Sequence, residues 1–145
     1  MAYRLSQRSK NNLSGVHPDL VSVVKRAIET TTQDFSVTEG VRHYNRQKQL
    51  VAQGKSQTMN SRHLTGHAVD LAPYPLSWDW EYFYPIADAM ISASKELDIP
   101  IRWGGNWRIR DVREWSGSAY ELTQEYDGKF MDGVHFELTR AFYPK

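Results

Sequence analysis

The stretch Ser61-Arg62-His63-Leu64-Thr65-Gly66-His67-Ala68-Val69-Asp70-Leu71-Ala72-Pro73 sets the reading of the whole chain. Val69 and Leu71 alternate with Ala68, Asp70 and Ala72 until Pro73 stops the run, which predicts a short strand. If Val69 and Leu71 face a core, period-two geometry sends Asp70 to the opposite face, where a bare carboxylate gains from a cation. His63 lies upstream across a turn that Gly66 permits, and it can reach the same place.

The last strand of the chain follows the same logic. Val134, Phe136 and Leu138 point one way, so His135 and Glu137 point the other. Two strands then offer Asp70 and His135 from one polar sheet face, and His63 completes a set of three N/O ligands. Three such ligands and one open position make the arrangement of a catalytic zinc site. Asp132 stands just before His135 with Gly133 between them, where a carboxylate that is not a ligand can act as general base. Arg42, at the end of an upstream strand, has the fixed donor fork that suits an oxyanion, or else it is an ion-pair partner of Glu39 or Glu137.

Each residue also has a plainer reading, since two His and two Asp occur scattered in many domains. Glu137 either orients a ligand imidazole or is simply exposed. Ser61 caps a loop or bonds substrate, because no activating constellation makes it a nucleophile. His63 and His67 have the spacing of a helical zinc pair, but Gly66 and the strand that follows argue against a helix. His67 is therefore expected at the surface or behind the ligands.

Outward from these strands, Pro18 opens a helix whose Leu20, Val23, Val24, Ala27 and Ile28 share one face. Phe35, Val37 and Val41 predict a strand running into Arg42, and a second helix covers Asn45 to Gln53 and ends at Gly54. Lys55 to Arg62 is polar and patternless. Trp80 to Leu97 carries Phe83, Ile86, Ala87, Met90 and Leu97 on a helical stripe, with Pro85 in the first turn. Most of the aromatics Trp78, Trp80, Tyr82, Phe83 and Tyr84 are read as a helix start packing on the core rather than a carbohydrate platform. Ile101 to Trp103 predicts another strand, and Gly104 to Gly128 reads as a long loop. Its acidic residues Asp111, Glu114, Glu121, Glu125 and Asp127 read as a solvated face. The sum is an α+β domain: a short, mostly antiparallel sheet packed with about three helices, with the metal site on the polar sheet face.

The 145 residues suit one domain, 1–145, with no linker or repeat to divide it. No cysteine is present, so disulfides, thiolate nucleophiles and thiolate metal sites are excluded and any metal must use His and carboxylates. A net charge of +1 gives no electrostatic grip on nucleic acid. No stretch approaches the roughly 18 to 20 apolar residues that cross a bilayer. The basic start, Met1 to Lys10, lacks the apolar run of a signal peptide.

The string from Ser61 to Asp70 resembles the S-x-H-x-x-G-x-A-x-D zinc signature of the D-alanyl-D-alanine carboxypeptidase and L-alanyl-D-glutamate endopeptidase family, at every fixed position. Asp132-Gly133-Val134-His135-Phe136-Glu137 resembles its second signature. Gly40-Val41-Arg42 with Gln47 is similar to an upstream G-x-R element, and Trp103-Gly104-Gly105-Asn106-Trp107 to a fourth block that often has Asp at the place of Asn106. The resemblance runs from about 16 to 138 and implies zinc on His63, Asp70 and His135, Asp132 as general base, and Arg42 as carbonyl and oxyanion binder. Ser61, Gln47 and Glu137 follow as residues near substrate or behind the ligands. It further implies a monomeric, bacteriophage-endolysin-type peptidase acting on peptidoglycan stem peptides. Such an enzyme would be made in the cytoplasm of the infected cell and act on the wall after release. The alternatives are a D-alanyl-D-alanine carboxypeptidase and a non-catalytic, zinc-containing wall-binding module.

Overall fold

Helix α2 (Pro18–Thr30) and helix α4 (Phe83–Leu97) pack together against one face of a four-stranded sheet, and the apolar spacing of each explains why. In the computed structural model, residues 2–56 and 61–144 are described. The strands are β1 (Phe35–Glu39), β2 (Ala68–Pro73), β3 (Ile101–Trp103) and β4 (His135–Leu138), in spatial order β1-β2-β4-β3 with every pairing antiparallel. Phe35, Val37, Val69, Leu71, Phe136, Leu138, Ile101 and Trp103 form the core face under the two helices. The α+β architecture is thus the expected one.

The polar face follows from pairing. Asp70 stands opposite both Glu39 of β1 and His135 of β4, and Glu137 of β4 stands opposite Arg102 of β3. A row of ionisable residues therefore crosses the sheet on the side away from the core. Segments of the chain before and after β2 form the walls around it.

Several elements differ from expectation. Helix α1 (Gln7–Asn12) has no apolar periodicity, and it forms because it closes a sheet edge. The outward N–H of Val37 donates to buried Ser9 Oγ at 2.9 Å, and Asn12 Nδ2 donates to the Val37 carbonyl at 2.8 Å. Side chains of α1 thus occupy the ladder positions of edge strand β1. Strand β1 stops at Glu39, short of Arg42, where the register to β2 shifts. Helix α3 (Tyr44–Ala52) starts one residue before its expected position. A single 3-10 turn, Trp80–Tyr82, precedes α4, so Pro85 lies within the first turn of α4. Of the irregular segment Lys55 to Arg62, residues 57–60 lie outside the described residues.

The expected long loop from Gly104 to Gly128 contains helix α5 (Ala119–Gln124) and a 3-10 turn, Val112–Glu114. A capping box starts α5: Ser118 Oγ accepts the Glu121 N–H at 3.1 Å while Glu121 Oε1 accepts the Ser118 N–H at 2.9 Å. The Ala119 N–H donates to Asp88 of α4 at 2.7 Å, which docks the new helix on the old one. Asp111 is not part of a solvated face. It is buried and accepts bonds from the Arg113 guanidinium and backbone N–H. Glu114, Glu121, Glu125 and Asp127 are exposed as expected.

Candidate active site

The Leu71 N–H donates to the Val134 carbonyl and the Leu138 N–H to the His67 carbonyl, each at 2.9 Å. Hydrogen-bonded and non-hydrogen-bonded pairs alternate along an antiparallel ladder, so the pair Asp70 and His135 falls in the non-bonded class, where side chains stand closest. His63 joins them from the 3-10 turn Arg62–Thr65. That turn is capped by Ser61, whose Oγ accepts the His63 N–H at 3.2 Å, and it ends on Gly66 in the left-handed region, φ 77°. The Arg42 N–H donates to the His63 carbonyl at 2.9 Å and ties the turn to the segment after β1.

The tautomers follow from the partners. His63 Nδ1 lies 2.8 Å from the Gly40 carbonyl, which only accepts, so Nδ1 carries the proton and the Nε2 lone pair faces Asp70 Oδ1 at 3.1 Å. His135 Nε2 lies 2.8 Å from Glu137 Oε1 and donates to it, leaving Nδ1 to face Asp70 Oδ1 at 3.5 Å. One donor atom from each of His63, Asp70 and His135 falls within 4.8 Å of the others. Among the described residues this group is able to hold a metal ion. Two imidazole nitrogens and one carboxylate oxygen turned toward one point suit zinc in type and number once His135 Nδ1 has given up its proton, and Gly40 and Glu137 supply the outer bonds that fix ring orientation.

Electrostatics in the metal-free protein run the same way. Burial opposes ionisation of Asp70, yet the imidazoles of His63 and His135 outweigh it and hold the carboxyl below the usual range. Burial likewise disfavours charge on His135, but its bonds to Asp70 and Glu137 win, and its pKa is pushed up to about 10. Glu137 is held low because His135 overcomes its own burial. A proton thus occupies the place a cation would take.

Arg42 and Asp132 flank this centre. Arg42 Nη1 donates to Gln47 Oε1 at 2.6 Å and Nη2 to Glu39 Oε1 at 2.5 Å, with Asp70 Oδ2 at 3.7 Å. Gln47 is fully buried and passes its own amide to Ser56 Oγ at 2.8 Å. The ion pair with Glu39 was one of the sequence alternatives, and it coexists with a place in the cleft. Asp132 is half-buried, and its pKa is raised, first by burial and then by the charge of Asp70. Its segment is positioned by the fourth sequence block. The Asp132 N–H donates to the Gly104 carbonyl at 2.9 Å, and a Cβ on Gly104 would sit 2.2 Å from the Asp132 carbonyl oxygen, so only glycine fits. Buried Trp103 donates its indole N–H to the Gly133 carbonyl at 2.8 Å. Asn106 has a neutral, local role: its Oδ1 accepts the N–H groups of Arg108 and Ile109, and its Nδ2 donates to the Leu122 carbonyl.

His63, Asp70, His135, Arg42 and Asp132 line a cleft of about 780 Å³ whose walls include Lys55, Trp78, Arg102, Trp107, Phe130 and Arg140. Sequence reasoning gave none of these a site role, although Trp107 closes the fourth block and Trp78 was weighed as part of a carbohydrate platform. Trp78, grouped with core aromatics, is 67% exposed and faces this cleft, whereas Phe83 is buried and Trp80 and Tyr84 pack on the core. His67 is neither at the surface nor one of the three converging residues. It is buried, with Nδ1 on Thr65 Oγ1 at 2.7 Å and its ring 5.7 Å from that of His17.

The profile of the phage L-alanyl-D-glutamate peptidase family matches residues 1–139. The chain belongs to this family. It is therefore a peptidase by descent, as the sequence blocks implied. The L-alanyl-D-glutamate peptidase of Escherichia phage T5 is 33% identical over 145 aligned residues, covering 95% of this chain and 99% of that protein. The crystal structure of Serratia marcescens L-Ala D-Glu endopeptidase ChiX superposes with a TM-score of 0.78 at 40% identity, over 98% of this chain and 95% of that one. No helix among the described residues is long and apolar enough to cross a membrane.

Proposed function

We propose that this member of the family is a zinc peptidase that hydrolyses the L-alanyl-D-glutamate bond of peptidoglycan stem peptides, serving a phage as its endolysin. The reading rests on one observation: His63 Nε2, Asp70 Oδ1 and His135 Nδ1 converge in a cleft that also holds Asp132 and Arg42. Zinc bound by those three atoms would polarise the scissile carbonyl and make water more acidic at the open position.

The protein's own groups do the rest. The Arg42 guanidinium, held by Gln47 and Glu39, binds the carbonyl oxygen as it gains negative charge. Asp132 takes a proton from the attacking water on its carboxylate and returns it to the amide nitrogen as the C–N bond breaks, giving a carboxylate and an amine. Glu137 keeps the proton on Nε2 of His135, and Gly40 keeps that of His63 on Nδ1, so both ligand lone pairs stay available. All of these groups come from one chain, so a monomer is a sufficient catalytic unit, spanning 1–145. The phage relative supports synthesis in an infected cell and action on its wall.

The test is Asp132→Ala. Release of new amino termini from purified peptidoglycan should fall by about 100-fold or more while zinc content stays stoichiometric. Undiminished release would refute the role. Mass spectrometry of the wild-type digest should show fragments that begin with D-glutamate, whereas loss of a terminal D-alanine would identify a carboxypeptidase.

A further inference from the structure

At the β3 side of the cleft the polar face changes character. Arg62, Arg102 and Arg140 line it, and the carboxylate that faces them, Glu137, is committed to His135. Arg62 is buried and spends Nη2 on the carbonyls of Leu138 and Tyr143, so it serves the fold. Arg102 is different. It stands opposite Glu137, one strand over and two residues along from His135, which places their Cα atoms about 8 Å apart.

The guanidinium of Arg102 is also held in advance. Its Nε donates to the Trp107 carbonyl at 3.0 Å, Nη2 donates to the same oxygen, and the group lies over the Trp107 ring with 5.0 Å to the centroid. The same indole has its centroid 5.2 Å from that of His135. Arg102 and a metal-ligating imidazole therefore flank one aromatic plate inside one cleft. Arg140, exposed at the rim, adds a second guanidinium. Burial lowers the pKa of Arg102; of the charges around it Glu137 counts most and raises it, while Arg110 and Arg140 lower it. Such an end of a cleft is preorganised for an anion: the ordering cost of the fork is met in the free protein, and planar guanidinium matches carboxylate.

We propose that Arg102, assisted by Arg140, binds the free carboxylate that the glutamate residue keeps beside the scissile bond. The inference rests on the activity proposed above. Glutamate has two carboxyl groups, and continuation of the peptide uses only one, so the other stands ionised within a few bonds of the reacting carbonyl. Arg102 thereby makes the enzyme a reader of stem-peptide charge, discriminating against peptides in which that carboxyl is amidated.

The experiment compares kcat/KM for two synthetic L-alanyl-D-glutamyl stem peptides, one with the free carboxyl and one with it as carboxamide. It uses the zinc-loaded wild type, Arg102→Gln, Arg102→Lys and Arg140→Gln. The wild type should favour the carboxylate by about 10- to 100-fold, as expected for a charge-assisted bond in a partly desolvated site. Arg102→Gln should bring the ratio close to unity, Arg102→Lys should retain part of it, and Arg140→Gln should lower it by about threefold. The ratio is the readout because a purely structural effect of losing the Trp107 contact slows both substrates alike. Equal cleavage of both peptides by the wild type overturns the proposal alone, as does an unchanged ratio in Arg102→Gln. Should Arg102→Gln fail to fold, Arg140→Gln decides through the same ratio. Cleavage of neither peptide by the wild type overturns the proposed activity and this inference with it.

Discussion

At the proposed zinc site, metal and proton would compete for His135, and the competition has a sign and a size. In the metal-free protein the pKa of His135 is pushed up to about 10, because Asp70 and Glu137 outweigh the burial that disfavours its charge. A group titrating there is protonated by about a thousand to one at pH 7, so binding a cation at Nδ1 must expel about one proton per ion. Apparent zinc affinity should therefore rise with pH, by about tenfold per unit between pH 6 and 8. The linked stability effect is opposite for the metal-free protein. A raised folded pKa stabilises fully below the unfolded value near 6.5 and is lost as pH rises through about 10. Asp70, whose pKa is lowered, contributes above its unfolded value near 3.8, and its contribution disappears as pH falls through the lower folded value. Titration calorimetry in buffers of different ionisation enthalpy measures the protons released, and a chelator competition gives the slope. Glu137→Gln removes one of the two carboxylates that raise the pKa, so it should reduce proton release at pH 8 while weakening zinc by about 10- to 100-fold. A pH-independent affinity, or no proton release at pH 7 in the wild type, would refute the assignment of His135 Nδ1 as a ligand.

Further expectations concern the supports of the site. Arg42→Lys keeps the charge but loses the fork that spans Gln47 and Glu39, and should lower kcat by about 100-fold with KM little changed. Gly104→Ala would drive a Cβ into the Asp132 carbonyl, costing roughly 1–3 kcal/mol in denaturant unfolding and lowering turnover through the displaced Asp132. Ser118→Ala removes the acceptor of the α5 capping box and should cost about 1 kcal/mol, visible as a lower Tm, with kcat/KM unchanged.

The parts of this molecule that are legible in its sequence are those with a local physical period. The stripe of α2, the stripe of α4 and the alternation around Asp70 and His135 need only neighbours along the chain to be read. What escaped had no such period. Helix α1 exists because Ser9 and Asn12 bond the exposed edge of β1, a partner far along the chain. The capping box at Ser118 and Glu121 did carry a local signal, but the Gly and Trp residues around it hid a helix of only six residues. Asp111 looked like one of several surface acids; its partner Arg113 stands only two residues on, but the burial of Asp111 is decided by how that turn packs.

Composition and spacing sufficed to limit any metal ligand to His and carboxylate, to forbid thiolate chemistry, and to put Asp70 and His135 on the polar side of their strands, because side-chain direction in a strand is set by residue parity. Tertiary structure alone decided that those two residues stand directly opposite one another, since register depends on which strands pair. It also chose which imidazole nitrogen faces Asp70, through the Gly40 carbonyl and Glu137, and it brought Arg102 and Trp107 beside His135. Those choices are made by partners from other segments, and no reading of one segment contains them.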